Sequence, residues 1–481
     1  MADSRHRPEI TAPFQATDGG SIFPLPDLVA LARHRTVHFL GIAGSGMLPL
    51  ATLLDLWGGR VSGCDRSADA ARAALPHRPI WDGHDPAHLT DDCGALVVTS
   101  AAPPDLPELL EARRRRLPVL KRAQALAAVV QRGEVMAVAG THGKTTTTAW
   151  IAHVLEAAGE DPTALVGGHV PTWGGPLRLG RADRFIVEAD EFDRSFLWLW
   201  PDLAVVTTID VDHLDTYGHA EAIAEAFAAF LLQRRGGPAV LGWDDEGVRR
   251  LVADRDLGPT LRYGMSPEVE VHGDVEQTDA EGSRVRVRWR GRRVGEVRVR
   301  LPGMHNVRNA LAAVAVGLVR GAPWSAIAEG VAAFRGVGRR FEILRRTPWA
   351  VVDDYAHHPT EVAATLEAAR QRFPGRRIVA VFQPHLYSRT AHFADAFGRA
   401  LAAADRVLVT DIYPAREAPL PGVTGALVAE AATRAGAAVR YVADRAAVLD
   451  AVREELHPGD VAVFLAAGDL TRDAHRLAEE G

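Results

Sequence analysis

Cysteine is nearly absent. The 481 residues hold two, Cys64 and Cys93, which excludes a disulfide framework, leaves no room for a cysteine-based zinc site, and fits a reducing cytosol. Lysine is as scarce: of 55 basic residues only Lys121 and Lys144 are lysine and 53 are arginine, whose guanidinium stays protonated and forms no carbamate at neutral pH. Long apolar runs are also missing. None reaches the ~18 residues of a membrane span, and the opening segment MADSRHRPEITAPFQATDGG lacks the apolar core of a signal peptide, so the reading is a cytoplasmic protein with no membrane association. Charge of one sign is in short supply too, because 55 basic against 61 acidic residues leave −6, too little for a protein that lives on nucleic acid. With 47% hydrophobic and 24% charged residues, disorder, collagen and coiled coil are poor descriptions, and the length suits about three domains at roughly 150 residues each.

What is present is an alternation of strand and helix. From Thr36 the order is TVHFLG, a glycine turn, the helical MLPLATLLDLWG, RVSGCD, then GALVVTS and LPVLK, as expected of a parallel sheet with crossover helices. A second unit starts at Val135, where VMAVAG runs into GTHGKTTTT and an Ala-rich helix; its strands RFIVEAD and LAVVTTID end in polar residues, where an α/β site collects them. A third begins near Gly338 with WAVVDDY, RIVAVFQ, RVLVTDIY and DVAVFLAAGD. The segment 283–301 alternates arginine with apolar residues around Gly-Arg-Arg, which predicts a hairpin with one buried and one solvated basic face. The expected partition is a loose tail over 1–34 and α/β units over 35–133, 134–336 and 337–481, with short hinges near Gly133 and Gly336.

Three clusters carry chemistry. Gly140-Thr141-His142-Gly143-Lys144-Thr145-Thr146 lies between a strand and a helix, where successive amides form an anion nest, Lys144 supplies a point charge to terminal phosphates, and the Thr145 hydroxyl suits magnesium; this points to ATP. The spacing departs from GxxxxGK[ST], since position 138 is valine. Glu188, ending RFIVEAD, and His213, in DVDHLDTYG, would complete the magnesium site at strand ends facing that loop. Either alone reads equally well as a solvated residue. The crowd of Asp190, Glu191, Asp193, Asp210, Asp212 and Asp215 beside them makes sense mainly if cations offset it. In the first unit Gly41, Gly44, Ser45 and Gly46 follow a strand and open a helix, with Asp65 ending the next strand, a layout for a nucleotide diphosphate with its sugar or base near an acid. The Gly-x-x-Gly-x-Gly spacing misses the dinucleotide fingerprint.

The segments GTHGKTTTT, VEADEFDRSFL, DHLDTYG, PGMHNVRNALAA, GRRFE, DDYAHHPTEV, FQPHLYSRT and DIYPAREAPLPGVTG, in this order over residues 38 to 469, resemble the Mur ligase family, and within it the branch that joins L-alanine to UDP-N-acetylmuramate. The resemblance implies a Rossmann-like N-terminal domain for the UDP-sugar, a central P-loop ATPase domain, and a Rossmann-like C-terminal domain receiving the amino acid. It implies a substrate carboxylate activated by ATP as an acyl phosphate, then displaced by the amine of L-alanine with release of ADP and phosphate, in peptidoglycan precursor synthesis. Carried onto this sequence, Lys144 holds the γ-phosphate, Thr145 and Glu188 hold magnesium, and His213 meets a second magnesium or the carboxylate. Asn306 and Asn309 match adenine contacts, although a helix cap with a buried amide explains them as well; Arg340 and Asp354 match C-terminal residues that reach ATP. His357, His358 and Arg389 match the L-alanine region, and His84 and Arg122 the UDP-sugar side. Departures are Thr208 where many members have Asn, Ala43 in the first glycine loop, and Leu386 where some have Arg, which leaves Arg389 as the carboxylate clamp. The expected partners are these small molecules, not nucleic acid or membrane, with the chain a monomer or weak homodimer.

Four other functions compete, one of them folylpolyglutamate synthase, which shares the ATP chemistry but lacks a UDP-binding N-terminal unit such as the one expected over 36–134. A ligase that recycles murein tripeptide onto UDP-N-acetylmuramate shares the ATP motifs; a nicotinamide-dependent Rossmann oxidoreductase would use the first glycine loop; a nucleotide-binding regulator would not need both Glu188 and His213. Later-acting family members carry a carbamylated lysine just beyond the DH segment, whereas Leu214 to Gly242 contains no lysine here. An amine-directed reagent is expected to inactivate through Lys144 with protection by ATP. Activity is expected to be indifferent to bicarbonate, which an assay of a carbonate-stripped sample with and without added bicarbonate checks; rescue would mean that a carbamate is used.

Overall fold

Short apolar runs ending in glycine or a carboxylate form the strands of three sheets in the computed structural model, which describes residues 25–480 apart from 101, 211–216, 218, 254 and 416. Two compact units result: Met1–Met47 with Leu54–Val129, and Leu48–Leu53 with Val130–Gly481. Among the described residues no helix is long and apolar enough to cross a membrane.

The first unit holds a five-stranded parallel sheet of β1 (Thr36–Leu40), β2 (Arg60–Asp65), β3 (Ile80–Asp82), β4 (Cys93–Val98) and β5 (Val119–Lys121), in the order β3-β2-β1-β4-β5. This is the strand order of one doubly wound nucleotide-binding fold. Its fully buried β4 is an unbroken apolar run, as a central parallel strand requires. The expected tail is corrected at its end. Leu28–His34 is a helix, capped by Asp27 accepting from the Ala30 amide at 2.9 Å, with Leu28, Val29 and Ala32 buried at helical spacing. The rest of that tail, 1–24, lies outside the described residues.

The second unit begins with a ten-stranded sheet. Its strands are β6 (Glu134–Ala139), β7 (Pro162–Val170), β8 (Gly175–Arg178), β9 (Arg181–Glu188), β10 (Leu203–Val206), β11 (Ala239–Gly242), β12 (Thr260–Gly264), β13 (Val271–Asp279), β14 (Gly282–Trp289) and β15 (Arg292–Val299), in the order β15-β14-β13-β12-β11-β10-β6-β9-β7-β8. β6 pairs in parallel with β9 on one side and β10 on the other. The crossovers diverge there, and such a point opens a crevice at the carboxyl ends of the strands. The register opposes Val138 to Glu188 and Ala139 to Val206, which brings both flanking strand ends beside the loop that leaves β6.

Behind that loop the helix Lys144–Ala157 is buried along most of its length. Helix Trp324–Ala333 presses on it so closely that a Cβ at Gly330 would lie 2.5 Å from the Cα of Val154. Trp150, fully buried, donates its indole N–H to the Val331 carbonyl at 3.2 Å and stacks obliquely on Phe334. β14 and β15 form the arginine-rich hairpin as expected: Val285, Val287, Val297 and Val299 are buried, while Arg298, Arg288 and Arg286 pair with Asp279, Asp274 and Glu276 of β13. That acidic neighbour explains the basic face without a nucleic acid.

The third sheet comprises β16 (Glu342–Arg345), β17 (Ala350–Asp354), β18 (Ile378–Phe382), β19 (Arg406–Thr410), β20 (Val439–Val442) and β21 (Val461–Leu465), in the order β16-β17-β21-β18-β19-β20, parallel except for β16. One face is covered by Val362, Leu366, Phe397, Leu401 and Val428, the other by Val448, Val452, Ala474 and Leu477. Helices on both faces explain why its strands read as continuous Val/Ile/Phe runs.

Candidate active site

The loop after β6 is shaped by its glycines. Gly140 has φ +137° and a Cβ there would lie 2.0 Å from Thr207 Oγ1; Gly143 has φ +81°, and its Cβ would lie 2.6 Å from Asn309 Oδ1. Only glycine allows this backbone without strain or collision. Gly143 is the N-cap of Lys144–Ala157 and gives it no side-chain cap, so the first amides of the helix are left for an anion. From β10 the next residues brace the loop: the Thr141 amide donates to the Thr208 carbonyl at 2.9 Å, the His142 amide to Thr208 Oγ1 at 3.0 Å, and Thr207 Oγ1 to the His142 carbonyl at 2.5 Å.

Lys144 folds back over this loop, donating to the Gly140 carbonyl at 2.7 Å and to Glu191 Oε2 at 2.7 Å. Burial opposes its charge, but Glu191, Asp190 and Glu188 raise its pKa well above the usual value. The Lys144 amine is partly shielded by Glu191, whereas Lys121 is exposed. Thr145 Oγ1 lies 3.0 Å from both oxygens of Glu188, and the Gly167 amide donates to Glu188 Oε2 at 2.8 Å. Hydroxyl and carboxylate together are the hard oxygen donors magnesium takes, so this pair fits the ion. His213 lies outside the described residues.

A cavity of about 300 Å³ opens in front of the loop, and both sheets of the second unit line it. The central sheet contributes His142, Gly143, Thr145, Thr146, Asn306 and Asn309; the third sheet and its first helix contribute Arg340, Asp354, Thr360 and Glu361. Asn306 donates its side-chain N–H to the Pro302 carbonyl at 2.7 Å and Asn309 donates to Asn306 Oδ1 at 3.4 Å, so the two amides brace each other along the wall. Sequence reasoning missed Glu361. Its Oε1 meets His142 Nδ1 at 3.2 Å and Arg340 at 3.6 Å, and its Oε2 accepts from the His357 amide at 3.0 Å. The signal was available: Glu361 stands three residues after the N-cap His358, with Pro359 between, the spacing of a capping box. Asp244, Tyr263 and His305 also line the cavity with no such signal. His305 stays neutral, its pKa pushed down to about 4 by burial and by Arg308.

The charges here are set by their neighbours. Burial opposes the His142 cation, but Asp210 and Glu361 raise its pKa to about 9. Asp354 goes the other way from an ordinary aspartate: burial pushes it up to about 6, against Arg340 and the amides of Phe341 and Ala356. Of the residues expected near an amino acid, His357 and Arg389 lie toward His385, which stacks on His357 edge-on at 5.8 Å and accepts from Arg389 at 3.4 Å through Nδ1. Arg389 is buried at the start of helix Tyr387–Leu401, after Leu386 at φ +69° and ψ 137°, a strained conformation of the kind found at functional sites. His358 is turned instead toward the phosphate loop, its ring 5.0 Å from His142.

In the first unit Gly41 (φ +83°) and Ile42 donate to the Cys64 carbonyl at 2.8 and 3.1 Å, and Ala43 to Asp65 Oδ2 at 3.0 Å. Arg122 lies against Gly46, where a Cβ would come within 2.8 Å of its side chain. The glycine loop with Gly44 and Ser45, Asp65 and Arg122 are thus together. His84 Nδ1 faces Glu108 Oε1 at 3.3 Å.

Three descriptions cover the chain: "Mur ligase family, catalytic domain" matches residues 36–133, "Mur ligase middle domain" residues 138–317, and "Mur ligase, glutamate ligase domain" residues 339–468. The UDP-N-acetylmuramate--L-alanine ligase of Salinibacter ruber is 43% identical over 456 residues, 94% of this chain and 96% of that protein. A crystal structure of UDP-N-acetylmuramate-alanine ligase from Thermotoga maritima is similar with a TM-score of 0.79 and 28% identity, covering 93% of this chain and 99% of that one. A murein peptide ligase structure from Psychrobacter arcticus shares the fold, with a TM-score of 0.71 at 24% identity over 92% of this chain and 98% of that one.

The His142 pair has a pH signature. Its folded pKa lies above the ordinary 6.5, so the stability it contributes is complete below about pH 6.5 and is lost as pH rises through about 9. Chemical denaturation at the two pH values is expected to show a loss of about 1–3 kcal/mol in the parent relative to His142→Gln. Equal pH slopes in the two proteins would show that His142 is not charged in the fold.

Proposed function

This chain belongs to the Mur ligase family, and from that membership and from its cavity we propose that it joins L-alanine to UDP-N-acetylmuramate in an ATP-dependent reaction that forms an amide and releases ADP and phosphate. It is a ligase of peptidoglycan precursor synthesis and works in the cytoplasm, where its nucleotide substrates are made. The observation that carries the reading is the convergence of a glycine-shaped phosphate loop with Arg340, Asp354 and Glu361 of the third sheet around one cavity.

The chemistry follows from what a carboxylate lacks. It is a poor electrophile, and phosphorylation by ATP turns its oxygen into a leaving group; the lactyl carboxylate attacks the γ-phosphorus, ADP departs, and the amine of L-alanine then adds to the acyl carbon and expels phosphate. Lys144, firmly protonated, is suited to hold the γ-phosphate and the acyl phosphate that follows, exchanging Glu191 for phosphate oxygens. The amides at the start of Lys144–Ala157, with Gly140, Thr141, His142, Gly143 and Thr146, cradle the phosphates; Asn306, Asn309, Arg340 and Asp354 wall the nucleotide. Thr145 and Glu188, and from the family resemblance His213, would hold magnesium, which when bound neutralises phosphate charge.

Arg389 offers a forked pair of N–H donors to the carboxylate of L-alanine, near His357. The first glycine loop (Gly41, Gly44, Ser45 and Gly46), with Asp65 and Arg122, is the UDP-sugar side, where diphosphate meets a helix N-terminus. A tripeptide-recycling activity is the second reading; the 43% identity to an L-alanine ligase favours alanine.

Phosphate release from ATP is expected to require both UDP-N-acetylmuramate and L-alanine, and a competing tripeptide should not replace alanine. Release with tripeptide alone would overturn the assignment. Arg389→Lys is expected to raise KM for L-alanine by about tenfold or more with little change in KM for ATP, because a bidentate contact becomes a point charge. An unchanged alanine KM would remove Arg389 from the site.

A further inference from the structure

The first unit contains a second chemical cluster, which includes His84 beside the expected sugar-nucleotide residues. Cys64 is the penultimate residue of β2, His84 follows β3, and Glu108 lies in the first turn of helix Pro107–Arg114. Their ligand atoms converge: Cys64 Sγ lies 3.1 Å from Glu108 Oε1 and 3.6 Å from His84 Nδ1, and His84 Nδ1 lies 3.3 Å from Glu108 Oε1. Cys64 and Glu108 are fully buried, and the His84 side chain is 17% exposed.

Two features are hard to explain by hydrogen bonding alone. Oε1 of Glu108 is overcrowded, since the Asp85 amide at 3.0 Å and His88 Nδ1 at 3.1 Å join Cys64 and His84 on an oxygen with two lone pairs. Its twin, Oε2, is buried with no hydrogen-bond partner. A buried carboxylate oxygen without a partner is costly, and native interiors rarely keep one.

We propose that Cys64, His84 and Glu108 bind one zinc ion. With bonds of about 2.3 Å to sulfur and roughly 2.0–2.1 Å to nitrogen and oxygen, a tetrahedral ion holds its ligand atoms roughly 3.3–3.6 Å apart. The three separations here, 3.1, 3.3 and 3.6 Å, are close to that triangle. The fourth position falls to water or to His88, whose ring is stacked on Trp81 at 4.8 Å and 10°. The ligand set of thiolate, imidazole and carboxylate selects zinc over magnesium, which takes oxygen. Charge agrees, because a thiolate and a carboxylate neutralise a divalent ion and leave the buried site with no net charge. On binding, the Sγ–H bond breaks, its proton goes to solvent, and the sulfur lone pair goes to the metal.

An outer partner is already in place. His38, fully buried, has Nδ1 2.9 Å from Ser62 Oγ and Nε2 3.5 Å from Cys64 Sγ, so a Ser62 hydroxyl donating to Nδ1 leaves Nε2–H to steady the sulfur. This departs from the expectation that two cysteines leave no room for a cysteine-based zinc site, because one thiolate suffices when imidazole and carboxylate complete the ligand set. The ion would tie the loop after β3 and helix Pro107–Arg114 to Cys64, whose carbonyl anchors the first glycine loop.

The test is a cobalt titration of the full chain, stripped with a chelator and kept in excess magnesium so that oxygen sites are filled. One cobalt ion per chain is expected, with a thiolate-to-cobalt charge-transfer band in the near ultraviolet and the visible bands of four-coordinate cobalt, both abolished by zinc. Cys64→Ser should lose the charge-transfer band and weaken zinc binding by more than about 100-fold, beyond the range of outer-sphere partners; Cys93→Ser should keep both. Absence of the band in the folded parent, or its persistence in Cys64→Ser, overturns the site. If Cys64→Ser does not fold, Glu108→Gln decides, since an unchanged zinc affinity there has the same meaning.

Discussion

One carboxylate ties the phosphate loop to the third sheet. Glu361 stands half-buried in a cavity wall, accepts from the His357 amide, and faces His142 of the loop and Arg340 of the turn before β16. Burial alone would push its proton on; His357, His142 and Arg340 instead hold its pKa well below the ordinary carboxylate value. The same contacts keep His142 cationic, and Asp210, which accepts from Thr360 Oγ1 at 3.0 Å, meets that cation from the other side at 3.5 Å. Each charge in this row is tolerable only because its neighbour is charged. The two sheets of the second unit therefore meet through a polar seam at the catalytic loop, while their apolar cores remain separate.

What could be read beforehand was whatever is local in the chain. The phosphate loop announces itself because close backbone approach demands glycine at 140 and 143, and Glu188 because a strand's end carries its polar residue to the crevice. The helix at Leu28–His34 was hidden by Pro24 and Pro26 before it and by its single turn or two of length. Strand order was not legible, since no periodicity says that β6 lies between β9 and β10. Nor does the sequence show which histidine of the pair faces which partner: His357 turns to Tyr355 and His385, His358 to His142, although they are adjacent. Such choices are made by packing in three dimensions, and the segment DDYAHHPTEV carries them only through resemblance.

Arginine does most of the structural ion pairing, and its fixed charge suits that work. Arg320 joins Glu134 and Glu160, Arg262 takes Glu270 through both ends of its fork, and Arg286, Arg288 and Arg298 of the hairpin find carboxylates across the sheet. Individual exposed pairs of this kind contribute little, about 0–1 kcal/mol. Their collective effect is to keep a face of many cations from projecting a single-sign field, which agrees with the small net charge.

The exposed Lys121 at the end of β5, in contrast to the half-buried Lys144, gives the molecule an unusual property as a material. Of its two side-chain amines one is exposed, so a dye or a surface linker would favour one place without any engineered residue. That place adjoins Arg122, which lies on the first glycine loop. A fluorophore carried there would sit next to the proposed sugar-nucleotide side, turning the chain's shortage of lysine into a native optical reporter of occupancy.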